Sequence, residues 1–122
     1  MVQHRSMVKV ADNSGGKIVR VIQPLGGSGK RVAKLGQIFV GVIKGADPNG
    51  QVKDKEVVRA VLVRAKKEFR RSDGSYVKFD ENAAVIVDKD GNLRATRVFG
   101  PVAREVRDAG YTKIASLAKE VW

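Results

Sequence analysis

The chain has 122 residues, with 24 Lys and Arg against 13 Asp and Glu, a formal net charge of +11, 43% apolar residues and no cysteine. Disulfides, thiolate catalysis and zinc–cysteine sites are therefore excluded, while the length and apolar fraction predict one domain, 1–122, with a modest core. So large a positive excess points to nucleic acid rather than a membrane, because no basic amphipathic helix, lipidation signal or long apolar segment accompanies it.

In chain order, Met7 to Ala11 alternates, with Val8 and Val10 on one side and Lys9 on the other, and predicts a strand. Asp12 to Gly16 reads as a turn before a strand from Lys17 to Ile22, closed by Pro24. Leu25 to Arg31 is a flexible Gly-rich loop ending in Lys30 and Arg31. Gln37 to Lys44 predicts the next strand, Ala46 to Gly50 a turn, and Glu56 to Arg64 a further strand. That strand runs into Arg64, Lys66, Lys67, Arg70 and Arg71, with Phe69 among them, and Ser72 to Ser75 then reverse the chain. Gly74 after Asp73 supplies the positive φ a tight hairpin needs, so the stretch predicts a basic β-ribbon. Ala83 to Val87 predicts another strand. Five or more short strands between Gly-rich turns predict a small closed barrel, since closure removes exposed strand edges.

The composition changes after Val87. Lys89 to Asn92 reads as a turn and Thr96 to Phe99 as a short strand. Val102 to Asp108 predicts an amphipathic helix through Val102 and Val106, and Thr112 to Glu120 a second through Ile114, Leu117 and Ala118. Both are too short to stand alone and must dock on something. The N-terminus has no apolar signal core, which predicts a cytoplasmic protein or one of an equivalent compartment such as the interior of an organelle.

Catalytic and metal motifs fail on spacing. Gly29 and Lys30 miss a phosphate loop because Pro24 and Arg31 occupy its first Gly and its Ser/Thr positions. Gly26, Ser28 and Lys30 miss the nucleophile elbow, whose last position is Gly. Asp88, Asp90 and Asn92 begin like a calcium loop, but Leu93 sits where its Gly belongs. His4 is the lone histidine, and Asp80 and Glu81, as neighbours on an extended chain, point to opposite faces. The expectation is no catalytic residue, no metal and no cofactor. Lys9, Arg20, Lys30, Arg31, Lys34, Lys44, Arg64, Lys66, Lys67, Arg70, Arg71, Arg94, Arg97, Arg104 and Arg107 fall mainly at strand ends and in loops, few with an acid placed to pair with them. Phosphate and groove-shape recognition of RNA is expected. A cold-shock-like barrel that stacks single-stranded RNA is disfavoured by an aromatic content of only 6%. A metal-dependent nuclease using Asp80 ranks below that.

The segment A-V-L-V-R-A-K-K-E-F-R-R-S-D-G-S-Y-V-K-F-D-E-N-A-A-V-I, Ala60 to Ile86, resembles the central signature of the universal large-subunit ribosomal protein fourteen family. V-A-D-N-S-G from Val10, L-G-G-S-G from Leu25 and T-R-V-F-G-P-V-A-R-E from Thr96 resemble it too, in order and almost end to end. Without an N-terminal extension, the chain resembles the bacterial or organellar type. The resemblance implies a mainly β fold: a five-stranded β-barrel with a projecting basic ribbon, over about 1–99, and a C-terminal lobe of two short helices, over about 100–122. It implies a structural constituent of the large ribosomal subunit, bound to large-subunit rRNA and reaching small-subunit rRNA through intersubunit bridges. Ribosomal proteins nineteen and three, and a ribosome-silencing factor, are the protein partners it implies. Lys30, Arg31, Arg64, Lys66, Lys67, Arg70 and Arg71 inherit rRNA contact by position. Lys9 and Lys44 join that set, and Arg94, Thr96, Arg97, Arg104 and Arg107 form the expected bridge or silencing-factor surface. Lys55 stands where the family commonly has Gly, Leu93 and Ala95 where it has Pro and Gly, and Lys119 where it has Pro.

Overall fold

The computed structural model describes residues 2–26 and 31–122. In chain order the strands are β1 (Val2–Gln3), β2 (Met7–Val10), β3 (Gly16–Pro24), β4 (Val32–Ala33), β5 (Ile38–Ala46), β6 (Val57–Arg64), β7 (Phe69–Arg70), β8 (Tyr76–Val77) and β9 (Ala83–Val87). The helices are α1 (Arg104–Asp108) and α2 (Thr112–Leu117). Strands β2, β3, β5, β6 and β9 close a five-stranded barrel, so the protein is mainly β with a two-helix C-terminal lobe. Closure comes from β2 and β9, which pair in parallel through Lys9 with Ala83 and Val10 with Ala84, whereas the other barrel pairs are antiparallel.

Alternation explains which side chains fill the barrel. Val8 and Val10, Val19 and Val21, Phe39 and Ile43, Val58, Ala60 and Leu62, and Ala84 and Ile86 form its core. The β1–β4 pair adds Val2 and Ala33 to the same cluster. Strands β6 and β9 do not alternate in polarity; Ala60 to Val63 and Ala83 to Val87 are uniformly apolar and buried. A strand reads that way when both faces are covered. Here Val61, Val63, Ala83, Val85 and Val87 point out of the barrel into a second cluster with Val98, Val102, Val106 and Ile114. The helical lobe is thus the lid over one outer wall, and that packing holds helices too short to persist alone.

Three elements differ from the sequence reading. Thr96 to Phe99 is not a strand: only Val98 forms an isolated bridge, to Asp12, because a side chain takes the Thr96 and Arg97 amides. The first helix starts at Arg104 rather than Val102, because Val102 pairs in parallel with Val121 and Ala103 is extended at ψ 145°. The second ends at Leu117 rather than Glu120, since Ala118 turns extended at ψ 144° to send the tail back to that pairing. Ile114 and Ala115 form its buried face, with Ala118 packed beside them, while Leu117 is 37% exposed.

Lys55 precedes β6 with φ +65°, a left-handed conformation, and its N–H donates to the Ile43 carbonyl at 2.8 Å. A lysine there carries steric strain of about 1–2 kcal/mol, which the glycine common in the resembling family avoids. Set against the roughly 0.5–1 kcal/mol that Gly costs in chain entropy, Lys55→Gly is expected to raise unfolding stability by up to about 1 kcal/mol. A urea-unfolding midpoint that falls instead would contradict this strain.

Candidate nucleic-acid interface

The ribbon is built from its base upward. Asn82 Oδ1 accepts the Lys66 N–H at 2.8 Å, and the Phe79 N–H reaches the Ala65 carbonyl at 2.9 Å. Strands β7 and β8 then pair Phe69 with Val77 and Arg70 with Tyr76. Phe69, Val77 and Phe79 pack against the barrel core, so the ribbon is short and anchored along one face. Its turn is closed by Gly74 N–H on the Arg71 carbonyl and by Asp73 Oδ1, which accepts both the N–H and the hydroxyl of Ser75. The Ser75 hydroxyl bond, above all, holds the Asp73 carboxyl below the usual carboxylate range.

Arg64 does not join the exposed cations. It is 6% exposed, and its Nη1 donates to the carbonyls of Phe99 and Pro101, each at 2.9 Å, while Nη2 meets Glu81 at 3.2 Å. Gly100 makes this approach feasible: its φ is +77°, and a Cβ there would lie 2.5 Å from Arg64 Nη1. Both Nη atoms of the guanidinium are taken by acceptors inside the protein.

Two more expected cations are paired. Arg71 forms a two-pronged bond to Glu105 of α1, at 3.0 and 3.1 Å, with side chains only 13% and 17% exposed. Such a fork fixes orientation as well as charge, and it ties the ribbon turn to the first helix. Arg94 meets Glu56 at 2.7 Å and the Gln51 carbonyl at 3.1 Å. That hydrogen bond is the main reason the Glu56 carboxyl titrates below its ordinary range. Lys9 lies 3.6 Å from Glu81 but keeps an exposed side chain. Acidic partners are therefore commoner than the sequence indicated, because Glu81 and Glu105 lie far along the chain from the arginines they meet.

Arg31, Lys44, Lys66, Lys67 and Arg70 are exposed, and none of them has an ion-pair partner among the described residues. Lys30 lies outside the described residues. Arg104 and Arg107 are exposed on α1, and Arg104 adds to the positive field at Asp73 in the ribbon turn. The structure thus brings together the ribbon and the first helix, two sets the sequence treated separately. Among the described residues no group of three or more His, Cys, Asp and Glu is placed to hold a metal, and no helix is long and apolar enough to cross a membrane. Asp88 Oδ1 accepts the N–H groups of Asp90 and Asn92, which makes that segment a turn.

Sequence reasoning missed what holds Thr96 and Arg97 in place. Asn13 Oδ1 accepts both of their N–H groups at 3.0 Å, and Asn13 Nδ2 donates to Thr96 Oγ1 at 2.9 Å. Next to it, buried Asp12 accepts the Ile86 N–H at 2.8 Å and the Ser14 N–H at 3.0 Å. Burial raises the Asp12 pKa, and its bonds to Ser14 and Ile86 oppose that rise. The D-N-S-G segment reads as a turn in sequence, and its side chains act across the barrel mouth rather than within that turn. The model for the family described as ribosomal protein L14p/L23e matches residues 1–122 of this chain.

Replacing Asn13 with Ala removes all three bonds and should speed amide exchange at Thr96 and Arg97 by roughly tenfold or more, because neither N–H has a backbone acceptor. Unchanged protection of those two amides would show that the loop is held by something else.

Proposed function

The chain belongs to the ribosomal protein L14p/L23e family, and from that premise we propose that it serves in the large ribosomal subunit, gripping large-subunit rRNA with the ribbon and meeting small-subunit rRNA across the subunit interface. Membership makes it a structural constituent of the ribosome rather than a catalyst, with rRNA and other ribosomal proteins as its partners. The observation that carries the ribbon assignment is the exposure of Lys66, Lys67 and Arg70 without ion-pair partners among the described residues, on a hairpin whose other face is packed down. Holding like charges so close together is repaid by a polyanion, whose condensed counterions are released on contact.

Lys9, Arg31 and Lys44 extend the rRNA-facing set in this reading, and Lys30 belongs with them by position. Arg64 does not, for the reason given by its internal bonds. The bridge and silencing-factor surface is assigned to Thr96, Arg97, Arg104 and Arg107; Arg94, held by Glu56, supports it from behind. Ribosomal proteins nineteen and three are the protein neighbours in the same reading, and a cytoplasmic or organellar ribosome is its setting.

Lys66→Glu, Lys67→Glu and Arg70→Glu together should lower occupancy in large subunits on a sucrose gradient. They should also flatten the plot of log affinity for an rRNA fragment against log salt by about 2, from roughly 0.7–0.9 per lost phosphate contact. Full occupancy with an unaltered slope would remove the ribbon as an anchor. Arg71 is left in place in this test, because reversing it would also break the pair with Glu105.

A further inference from the structure

A groove lies apart from the exposed ribbon cations Lys66, Lys67 and Arg70. It has a volume of about 720 Å³ and lies between the ribbon's return strand, the Phe99–Pro101 loop and the C-terminal tail. That volume is within the range of small-molecule sites. Two large rings line it while exposed to solvent, Phe99 at 53% and Trp122 at 56%. The indole is not a loose end. The Trp122 N–H donates to the Val102 carbonyl at 2.8 Å, and its Nε1–H donates to Glu120 at 2.9 Å. The Phe99 backbone is fixed from behind, since its carbonyl takes a bond from Arg64 and its N–H reaches the Ala11 carbonyl at 2.7 Å. Arg64 also lines this groove and leaves its buried Nε without an acceptor.

Charge completes the description. Lys9 and Lys78 stand on the lining as exposed cations, Lys9 within 3.6 Å of Glu81, and Glu81 and Glu120 line the groove as well. Asp80 stands there too, exposed and without a hydrogen-bond or ion-pair partner among the described residues. Exposed aromatic faces fit a base, lysines fit its flanking phosphates, and a carboxylate fits a base edge rich in donors. Among the four bases only guanine offers two adjacent donors, N1–H and the N2 amino group, to both oxygens of one carboxylate.

We propose that this groove binds an unstacked guanine of single-stranded RNA, stacked against Trp122 and Phe99, with Asp80 reading its Watson–Crick edge and Lys9 and Lys78 holding the adjacent phosphates. The inference rests on the RNA-binding reading above and adds to it a sequence preference that a grip on phosphates alone would not have.

Trp122 is the only tryptophan, so its fluorescence reports the groove directly. The full chain is titrated at low salt with the trinucleotides UGU, UAU, UCU and UUU. Saturable quenching by UGU is expected, with affinity on the order of tenfold above the other three. Asp80→Ala should erase that preference while leaving some quenching, and Phe99→Ala should weaken all four ligands; both side chains are exposed, so the far-UV spectrum should be unchanged. Equal or non-saturating quenching by all four overturns the proposal, as does a Trp122 response only to other ribosomal proteins, which would give the groove to a protein. Binding of a large-subunit rRNA fragment is measured alongside. Fragment binding without a guanine response removes the groove alone, whereas loss of both removes the RNA-binding reading as well.

Discussion

A buried guanidinium joins the three parts of this molecule. Arg64 ends the barrel strand β6, stands immediately before the ribbon, and bonds to Glu81 at the ribbon's far end and to the carbonyls of Phe99 and Pro101 on the way to the helical lobe. A buried charge is costly unless it is paired and hydrogen-bonded, so the chain around Arg64 is constrained to supply those acceptors. Gly100 has the backbone that lets the loop come close enough, and Glu81 supplies the opposite charge. Barrel, ribbon and lobe are positioned relative to one another by a residue that itself faces inward.

The same constraint sorts the cations. Arg64, Arg71 and Arg94 are held by acids within the fold, and each joins segments distant in sequence. Lys66, Lys67 and Arg70 lie between two of these fixed arginines and remain exposed. Internal arginines thus hold still the surface from which the free cations reach phosphate. Arg suits the first task because its planar fork bonds in two directions at once; Lys, a compact charge on a flexible stem, suits the second.

Much of this was legible in sequence, for physical reasons. The barrel strands announce themselves by alternation, as in Val8, Lys9 and Val10, and the ribbon by its cations and Asp73–Gly74 turn. The uniformly apolar Ala83 to Val87 marks a strand without saying that its outer face lies under a lobe. The extended state of Val102 was not legible, because its pairing with Val121 is a tertiary contact that overrides a helical pattern. Nor was the Thr96–Arg97 loop, whose amides are taken by the side chain of Asn13, 83 residues away at the first contact. The burial of Arg64 was not legible either: the register shifts between Leu62 and Arg64, which sets Arg64 opposite Ala83 on the outer side of the barrel, where it meets the carbonyls of Phe99 and Pro101. The density of cations after it placed Arg64 with its exposed neighbours.

The direction in which Arg64 faces is most directly tested by Arg64→Met, which keeps an unbranched apolar stem and removes the guanidinium and its charge. Affinity for a large-subunit rRNA fragment would be measured across a salt series, at a temperature where both proteins are folded. If Arg64 works inward, the melting temperature falls and the slope of log affinity against log salt matches the unaltered protein. An unchanged melting temperature with a slope shallower by about 0.7–0.9, the signature of one lost phosphate contact, would contradict this arrangement of buried and exposed charge.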